Sequence, residues 1–356
     1  MIPQVKHTLG AEEAFAAKIA LRSGHLTSGP IVREFERALE EYTGAANVIA
    51  CHSGTAAIHL ALCATVRGAT DPIVGTGALT YISAVNAIGW VGAAPYWLDI
   101  DPKTLCTATK KPRGCPDLDA LVVTHYGGAT ASMRTNGVII EDAACAIGSR
   151  YQDGLMVGSR QDTLCCFSFH AGKMITTAGE GGAIAVHDPG TAGLLRMLRD
   201  QGVERAGWRQ DAAISGFNYR MTEIQAAVGI EQLKKLDGFI ARRRELALRY
   251  RELLSDMDVV LPEWDADLVN WCYFPIQVDD RDEVMDFLWS QEIRAGFNYK
   301  PAYQHSLKEA LYCDPPPETE KAAARLICLP LYPTLSEIEQ DYVCLKLKEA
   351  IENATS

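Results

Sequence analysis

The sequence has no surplus of positive charge and no long basic run. Its 34 Lys and Arg stand against 45 Asp and Glu, a formal net charge of −11. An acidic chain of this kind lacks the electrostatic footprint of a nucleic-acid or membrane-surface binder. The one basic cluster, Arg242-Arg243-Arg244, falls in a helical stretch and reads as a solvated or interface face. No run approaches the ~18 consecutive apolar residues of a spanning helix, and MIPQVKHTLGAEEAF at the amino terminus lacks the apolar centre of a signal peptide. A cytoplasmic location is therefore expected. The 11 cysteines include no CxxC, and the eight histidines form no HExxH or HxH, so no metal site is expected. An odd, scattered set with Cys165 and Cys166 adjacent reads as reduced core cysteines. Absent too are GxxxxGK[ST] and GxGxxG, which removes the nucleotide fingerprints and argues against a nicotinamide-dependent oxidoreductase.

What is present is an ordinary globular mix, 48% hydrophobic and 22% charged. A chain of this length buries roughly three quarters of its unfolded surface and needs no covalent staples. Helices are expected from about Ala11 to Ser23 and over IVREFERALEEY, the latter entered through Ser28-Gly29-Pro30 and stopped by Gly44. Short β-rich runs then alternate with helix-like stretches. The runs are NVIAC (47–51), PYWLDI (95–100), ALVVTH (120–125), GVIIED (137–142), TLCCFSF (163–169) and GAIAVH (182–187), with helical segments at Thr55–Val66 and Tyr81–Ile88. Such alternation predicts an α/β fold with a mostly parallel sheet and helices on both faces. One crossover is short: ATASMRTN between ALVVTHYGG and GVIIED cannot hold a standard crossover helix. Either an extended loop crosses there, or those strands are not adjacent parallel partners. From Met221 a long helical stretch begins, with Gly238 as a candidate break; beyond it, YFPIQV, a helix near 281–291 and a last helix from about Ser336 predict a small α+β domain. The expected division is residues 1–235, amino-terminal arm included, and 236–356.

Three elements carry chemistry. In FSFHAGKMITTAGEGGAIAV, Lys173 follows an apolar strand and leads into a glycine-rich turn. Most loop lysines are simply solvated, but this loop is poor in other charges, and an enclosed lysine can lose its proton and attack a carbonyl. In GVIIED, Asp142 closes a strand where ligands of open α/β sheets bind, although an Asp there also serves as a helix N-cap. In HSGTAAIHLAL, small residues join a strand to a helix, offering N–H groups and hydroxyls to an anion, or else plain capping by Ser53 or Thr55.

Together with LTSGPIVREFERALEEYTG, ALTYISAVNAIGWVGAAPYWLDID, IIEDAACAIGS, GFNYRMTEIQAAVGIEQL, RRRELALRY, NYKPAYQH and LPLYPTLS, these motifs make the chain resemble the DegT/DnrJ/EryC1/StrS sugar aminotransferases over nearly its whole length. The resemblance implies a fold-type-I architecture, a large domain followed by a small one, and pyridoxal 5'-phosphate as cofactor. It implies that Lys173 carries the cofactor as a Schiff base and shuttles the substrate proton, and that Asp142 pairs with the pyridinium nitrogen. It gives Tyr81 a stacking role on the cofactor ring. Gly54, Thr55, Ala56 and Ser168 would hold the phosphate, with Asn218 reaching in from the neighbouring subunit of a homodimer. His170 would line the site beside the lysine, and Tyr299, Lys300 and His305 are candidates for substrate contacts.

Two positions depart from the family pattern. Cys145 stands where the family usually has Gln or His against the cofactor, and the segment before IIED is trimmed. The implied reaction moves an amino group from L-glutamate or glutamine to a keto-sugar, most suitably one linked to a nucleotide diphosphate. Alternatives are amination of a cyclitol or related ketone, construction of an aminobenzoate ring, and a non-catalytic regulatory role. The family's dehydratases replace the lysine by His, so Lys173 argues against that class.

Overall fold

In the computed structural model, residues 1–109, 114–132, 138–206, 208–305 and 314–354 are described. The strands of the main sheet are β1 (Asn47–Cys51), β2 (Ile73–Gly77), β3 (Ala94–Leu98), β4 (Ala120–Thr124), β5 (Ile139–Asp142), β6 (Thr163–Ser168) and β7 (Gly182–Val186). They lie in the order β1-β7-β6-β5-β4-β2-β3. Neighbours pair in parallel except at β7, which runs against both β1 and β6. The reason is the short link from Ser168 to Gly182, which holds no crossover helix and can only return the chain antiparallel. That link carries Lys173.

Around the sheet pack α1 (Ala11–Arg22), α2 (Pro30–Thr43), α3 (Gly54–Thr65), α4 (Ile82–Trp90), α5 (Pro189–Arg199) and α6 (Glu223–Leu253). Side chains alternate strictly between the faces, as a strand period of two requires. Val48, Ala50, Cys165 and Phe167 pack with Val32, Phe35 and Leu39 of α2, whereas Ile49, Cys51, Leu164 and Cys166 pack with Ile58, Leu60 and Leu62 of α3. The adjacent cysteines thus serve opposite cores. All ten described cysteines are free thiols and eight are buried, as expected for core residues.

The β4–β5 question resolves in favour of adjacent parallel partners, in the register Leu121↔Ile139 to Thr124↔Asp142. A turn at Tyr126–Gly128 opens the crossing; residues 133–137 of the trimmed segment lie outside the described ones. Helix α2 starts at Pro30 as expected, but Ser28 is not its cap. The Ser28 hydroxyl donates to the Met221 carbonyl, and the Glu223 carboxylate accepts from the N–H groups of Gly29, Ile31 and Val32. Gly238 does not break α6, which runs for 31 residues through that exposed position. A glycine in a helix costs about 1 kcal/mol, too little to stop one anchored by buried side chains on both sides. The expected division at residue 235 therefore lies inside one helix.

Beyond α6, β10 (Phe274–Gln277) and β11 (Leu326–Leu329) form a two-stranded antiparallel sheet with α7 (Arg281–Ser290), α8 (Pro317–Arg325) and α9 (Glu337–Ala354). A hairpin, β8 (Val203–Ala206) with β9 (Arg209–Ala212), stands off the main sheet. The basic cluster splits. Arg242 pairs with Glu245 and Arg244 with Asp267, but Arg243 is only 2% exposed, so the reading of one solvated face fails there. No helix among the described residues is long and apolar enough to cross a membrane.

Candidate active site

The carboxyl ends of β1, β4, β5 and β6 surround a cavity of about 370 Å³. Its floor holds Asp142, the last residue of β5 and 5% exposed. Asp142 Oδ1 accepts from the Ala144 N–H at 3.2 Å, so the residue caps the following turn and also faces the cavity. Burial pushes its carboxyl above the usual range, and the nearby charge of Lys173 pulls the other way.

On one wall, α3 begins. Ser53 is its N-cap and accepts from the Ala56 N–H at 3.1 Å. The N–H groups of Gly54 and Thr55 are left without an acceptor among the described residues, the ordinary state of a helix start and an anion site in waiting. Ala56, expected to share that role, has its N–H engaged by Ser53 and its side chain buried. Ser168 closes the cradle so tightly that a Cβ on Gly54 would lie 2.7 Å from Ser168 Cβ. Gly182 is needed for the same reason, since its Cβ would lie 2.3 Å from the Ser53 carbonyl oxygen.

Lys173 stands opposite, in a tight loop. Its N–H donates to the His170 carbonyl at 2.9 Å, while Met174 and Ile175 behind it are 3% and 1% exposed and anchor the loop in the core. Lys173 Nζ donates to Cys145 Sγ at 3.2 Å and to Tyr273 Oη at 3.4 Å. Tyr81 lies at the N-cap of α4, just outside the helix expected to contain it. At 56% exposure it is no core aromatic; its ring meets that of Tyr299 at the cavity, centroids 5.6 Å apart.

Gly54, Thr55, Tyr81, Asp142, Cys145, Ser168, His170, Lys173 and Tyr299 all line this one cavity. Asn218 does not: it is exposed, outside the cavity of its own chain. Lys300 is exposed and His305 ends the short turn Ala302–Gln304, neither of them lining the cavity. Tyr273, Tyr126 and the amino-terminal Gln4 and Val5 also line it and were not anticipated. The arm is held there by backbone pairing of Ile2 with Ile293 and by the Leu331 N–H on the Gln4 carbonyl, which no local sequence signal announces.

Beneath the cavity lies a second buried polar group. The His125 Nδ1 accepts from the Ala131 N–H at 3.1 Å, so its proton sits on Nε2 and is donated to Glu141 at 2.7 Å. Tyr151 and Thr163 hydroxyls donate to the same carboxylate. Burial raises the Glu141 carboxyl, but these three donors outweigh it and hold it below the usual range.

A buried carboxylate with one backbone donor, a helix start with free N–H groups and a lysine at the facing wall suit the three polar ends of pyridoxal phosphate: ring nitrogen, phosphate and aldehyde. Fold and site together define a fold-type-I pyridoxal-phosphate aminotransferase. Residues 7–348 match the DegT/DnrJ/EryC1/StrS aminotransferase family, and the chain belongs to it. Solved structures similar to it include the aminotransferase TlmJ from Streptoalloteichus hindustanus (28% identity, 100% of both chains, TM-score 0.92). Two others are the sugar aminotransferase CalS13 from Micromonospora echinospora (28%, 98% of this chain and 100% of that one, 0.90) and DesV from S. venezuelae (28%, 96% and 94%, 0.87).

Proposed function

We propose that this enzyme transfers an amino group from L-glutamate, or glutamine, to a keto-sugar carried on a nucleotide diphosphate. One observation carries the reading: Lys173, Asp142 and the start of α3 face one cavity, and CalS13, similar to this chain over nearly its full length, is a sugar aminotransferase. Pyridoxal phosphate, when bound, supplies the electron sink that lets the donor's α-proton leave. Lys173 Nζ holds and moves that proton, delivering it on one side of the substrate carbon. Asp142, buried and with one backbone donor, would favour the protonated form of the cofactor's ring nitrogen. The N–H groups of Gly54 and Thr55 and the Ser168 hydroxyl would hold the phosphate, while Tyr81 and Tyr299 would exclude water from the bound cofactor.

The active form in this reading is a cytoplasmic homodimer, with Asn218 completing the partner's phosphate site. The support is a set of large apolar side chains left exposed on this chain: Phe15, Ile19 and Leu26, and Trp208 at 87% exposure on the β8–β9 hairpin. The test is the visible spectrum of the purified protein before and after L-glutamate, beside Lys173→Ala. A cofactor band that bleaches with glutamate, with release of 2-oxoglutarate, and that is missing in the variant supports the reading. A band indifferent to every amino donor would overturn it. A screen of keto-sugars with and without the nucleotide then decides the acceptor.

A further inference from the structure

The amino-terminal arm joins the cavity wall as an added extended segment. Ile2 pairs in parallel with Ile293: its N–H donates to the Glu292 carbonyl and its carbonyl accepts from the Arg294 N–H, both at 2.9 Å. Two residues on, the Gln4 carbonyl accepts from the Leu331 N–H at 3.0 Å, and Gln4 lines the cavity. Its amide lies with one face on Gly296, where a Cβ would come within 2.3 Å of Cδ, Oε1 and Nε2 alike. Gly296 is outside the left-handed region, so its backbone does not call for glycine; the amide seated on it does. Gln4 Nε2 is buried and has no acceptor among the described residues, although buried amide groups are satisfied in nearly every native fold. A side chain fixed by backbone pairing and a glycine seat, with its donor unmet beside a cavity, is set for a ligand.

We propose that Gln4, seated on Gly296, is a specificity-determining residue for the amino acceptor: its amide hydrogen-bonds a ring hydroxyl of the keto-sugar. The chemistry of the group selects that substrate. Asp142, Lys173 and the start of α3 answer the three polar ends of the cofactor, which leaves Gln4 to the substrates. An amide is neutral and can donate and accept, as a hydroxyl does, and turning about its last side-chain bond offers either end. A carboxylate only accepts and is best met by a cation. Gln4 carries no charge, and among the described residues of the wall Lys173 is the only Lys or Arg. The amide therefore suits the hydroxyls of the acceptor and not the carboxylates of the donor. A site that hydrogen-bonds a substrate hydroxyl also rejects the analogue that lacks it, because its own polar group is then left unpaired.

The proposal rests on the keto-sugar reading, and timing the two half-reactions separately tells the failure of one from the failure of the other. Wild type, Gln4→Met and Gly296→Ala, loaded with pyridoxal phosphate, are first bleached with L-glutamate. They then meet a thymidine- or uridine-diphosphate 4-keto-6-deoxyhexose, or its 2-deoxy or 3-deoxy analogue, and the return of the visible band is followed. Gln4→Met keeps the length of the side chain over Gly296 without the amide, whereas Gly296→Ala keeps the amide and drives it from its seat. Both variants should bleach within ~2-fold of wild type and return with kcat/KM lower by ~10-fold, the worth of one hydrogen bond. On one of the two deoxy analogues that difference should vanish. A Gln4→Met enzyme that returns as fast as wild type overturns the proposal, since its amide then does nothing that bulk cannot. So does a loss shared equally by bleaching and return, or one equal on all three sugars, which would make Gln4 a support for the arm. If wild type bleaches and none of these sugars restores its band, the keto-sugar reading fails and the proposal with it.

Discussion

A methyl group on Gly54 would lie 2.7 Å from Ser168 Cβ, 3.0 Å from its Oγ and 3.3 Å from its Cα. Carbon contacts settle at about 3.5–4.0 Å, so the start of α3 and the end of β6 must part by about 1 Å. Neither has room. Ser168 is paired with Gly182 across β6 and β7, and Ala56, Ala57 and Ile58 are at most 2% exposed beneath the helix start. Overpacking of this kind costs about 1–3 kcal/mol of stability. The larger effect falls on the cofactor. A hydrogen bond to a phosphate is worth about 1.5–3 kcal/mol, so taking both the Ser168 hydroxyl and one N–H out of reach loses about 3 kcal/mol, or ~100-fold in Kd. Ser168→Ala removes one such bond and should cost about 10-fold. Titrating cofactor-free protein with pyridoxal phosphate, following the visible band, gives both constants, and competition by inorganic phosphate checks that the anion end is responsible. If Gly54→Ala binds within about 3-fold of wild type while Ser168→Ala is weaker than it, the phosphate is not held there and the reasoning is wrong.

Three further outcomes follow from the same geometry. Glu141→Gln can keep its oxygen toward His125 and Tyr151 and turn its amide to Thr163, whose hydroxyl reverses to accept, so only charge is lost: about 1–3 kcal/mol at neutral pH. Because the folded carboxyl sits below its unfolded value, wild type holds this advantage above ~4.3 and loses it as pH falls through the lower folded value. Thermal unfolding against pH reads it, and equal stability at neutral pH contradicts it. Asp142→Asn keeps an acceptor for the Ala144 N–H and relieves a buried charge, so the cofactor-free chain should unfold no earlier than wild type. Its single turnover with L-glutamate should nevertheless fall by ~1000-fold, and a loss under ~10-fold would remove Asp142 from the chemistry. Finally, at pyridoxal phosphate too dilute to load Asn218→Ala, that variant and Lys173→Ala should regain about a quarter of wild-type activity when dissociated and reassembled together, since half the dimers then hold one intact site. No recovery would place Asn218 outside the partner's site.

The sequence announced the parts of this site that sit where the backbone changes type. Asp142 ends a strand, Gly54 and Thr55 begin a helix, and Lys173 occupies a short return between strands, so pattern alone brings them to one edge of the sheet. It was silent where residues arrive from far along the chain. Glu223 caps a helix that begins at Pro30, and the amino-terminal arm reaches the cavity through pairing with residues 293 and 331. Strand β2, IVGTG, was missed for a local reason: Gly75 and Gly77 stand where Leu121, Leu118 and Thr107 fill the space, so the apolar signal belongs to its neighbours.

Arg243 shows how two sequence signals can disagree and which should prevail. Three consecutive arginines argue by composition for a solvated face. Spacing argues otherwise: Leu236, Arg243, Ala247 and Tyr250 are separated by seven, four and three residues, one stripe of a helix, and all four are buried. A helix presents every third or fourth residue to its core whatever the side chain, so the middle arginine had to go inward if the stripe was real. Its Nη1 then donates to three carbonyls instead of a carboxylate, which leaves a net positive charge beneath Cys272 and Cys145. The charge that composition assigned to the surface thus lies inside the protein, behind the wall of the cavity that Cys145 and Tyr273 line.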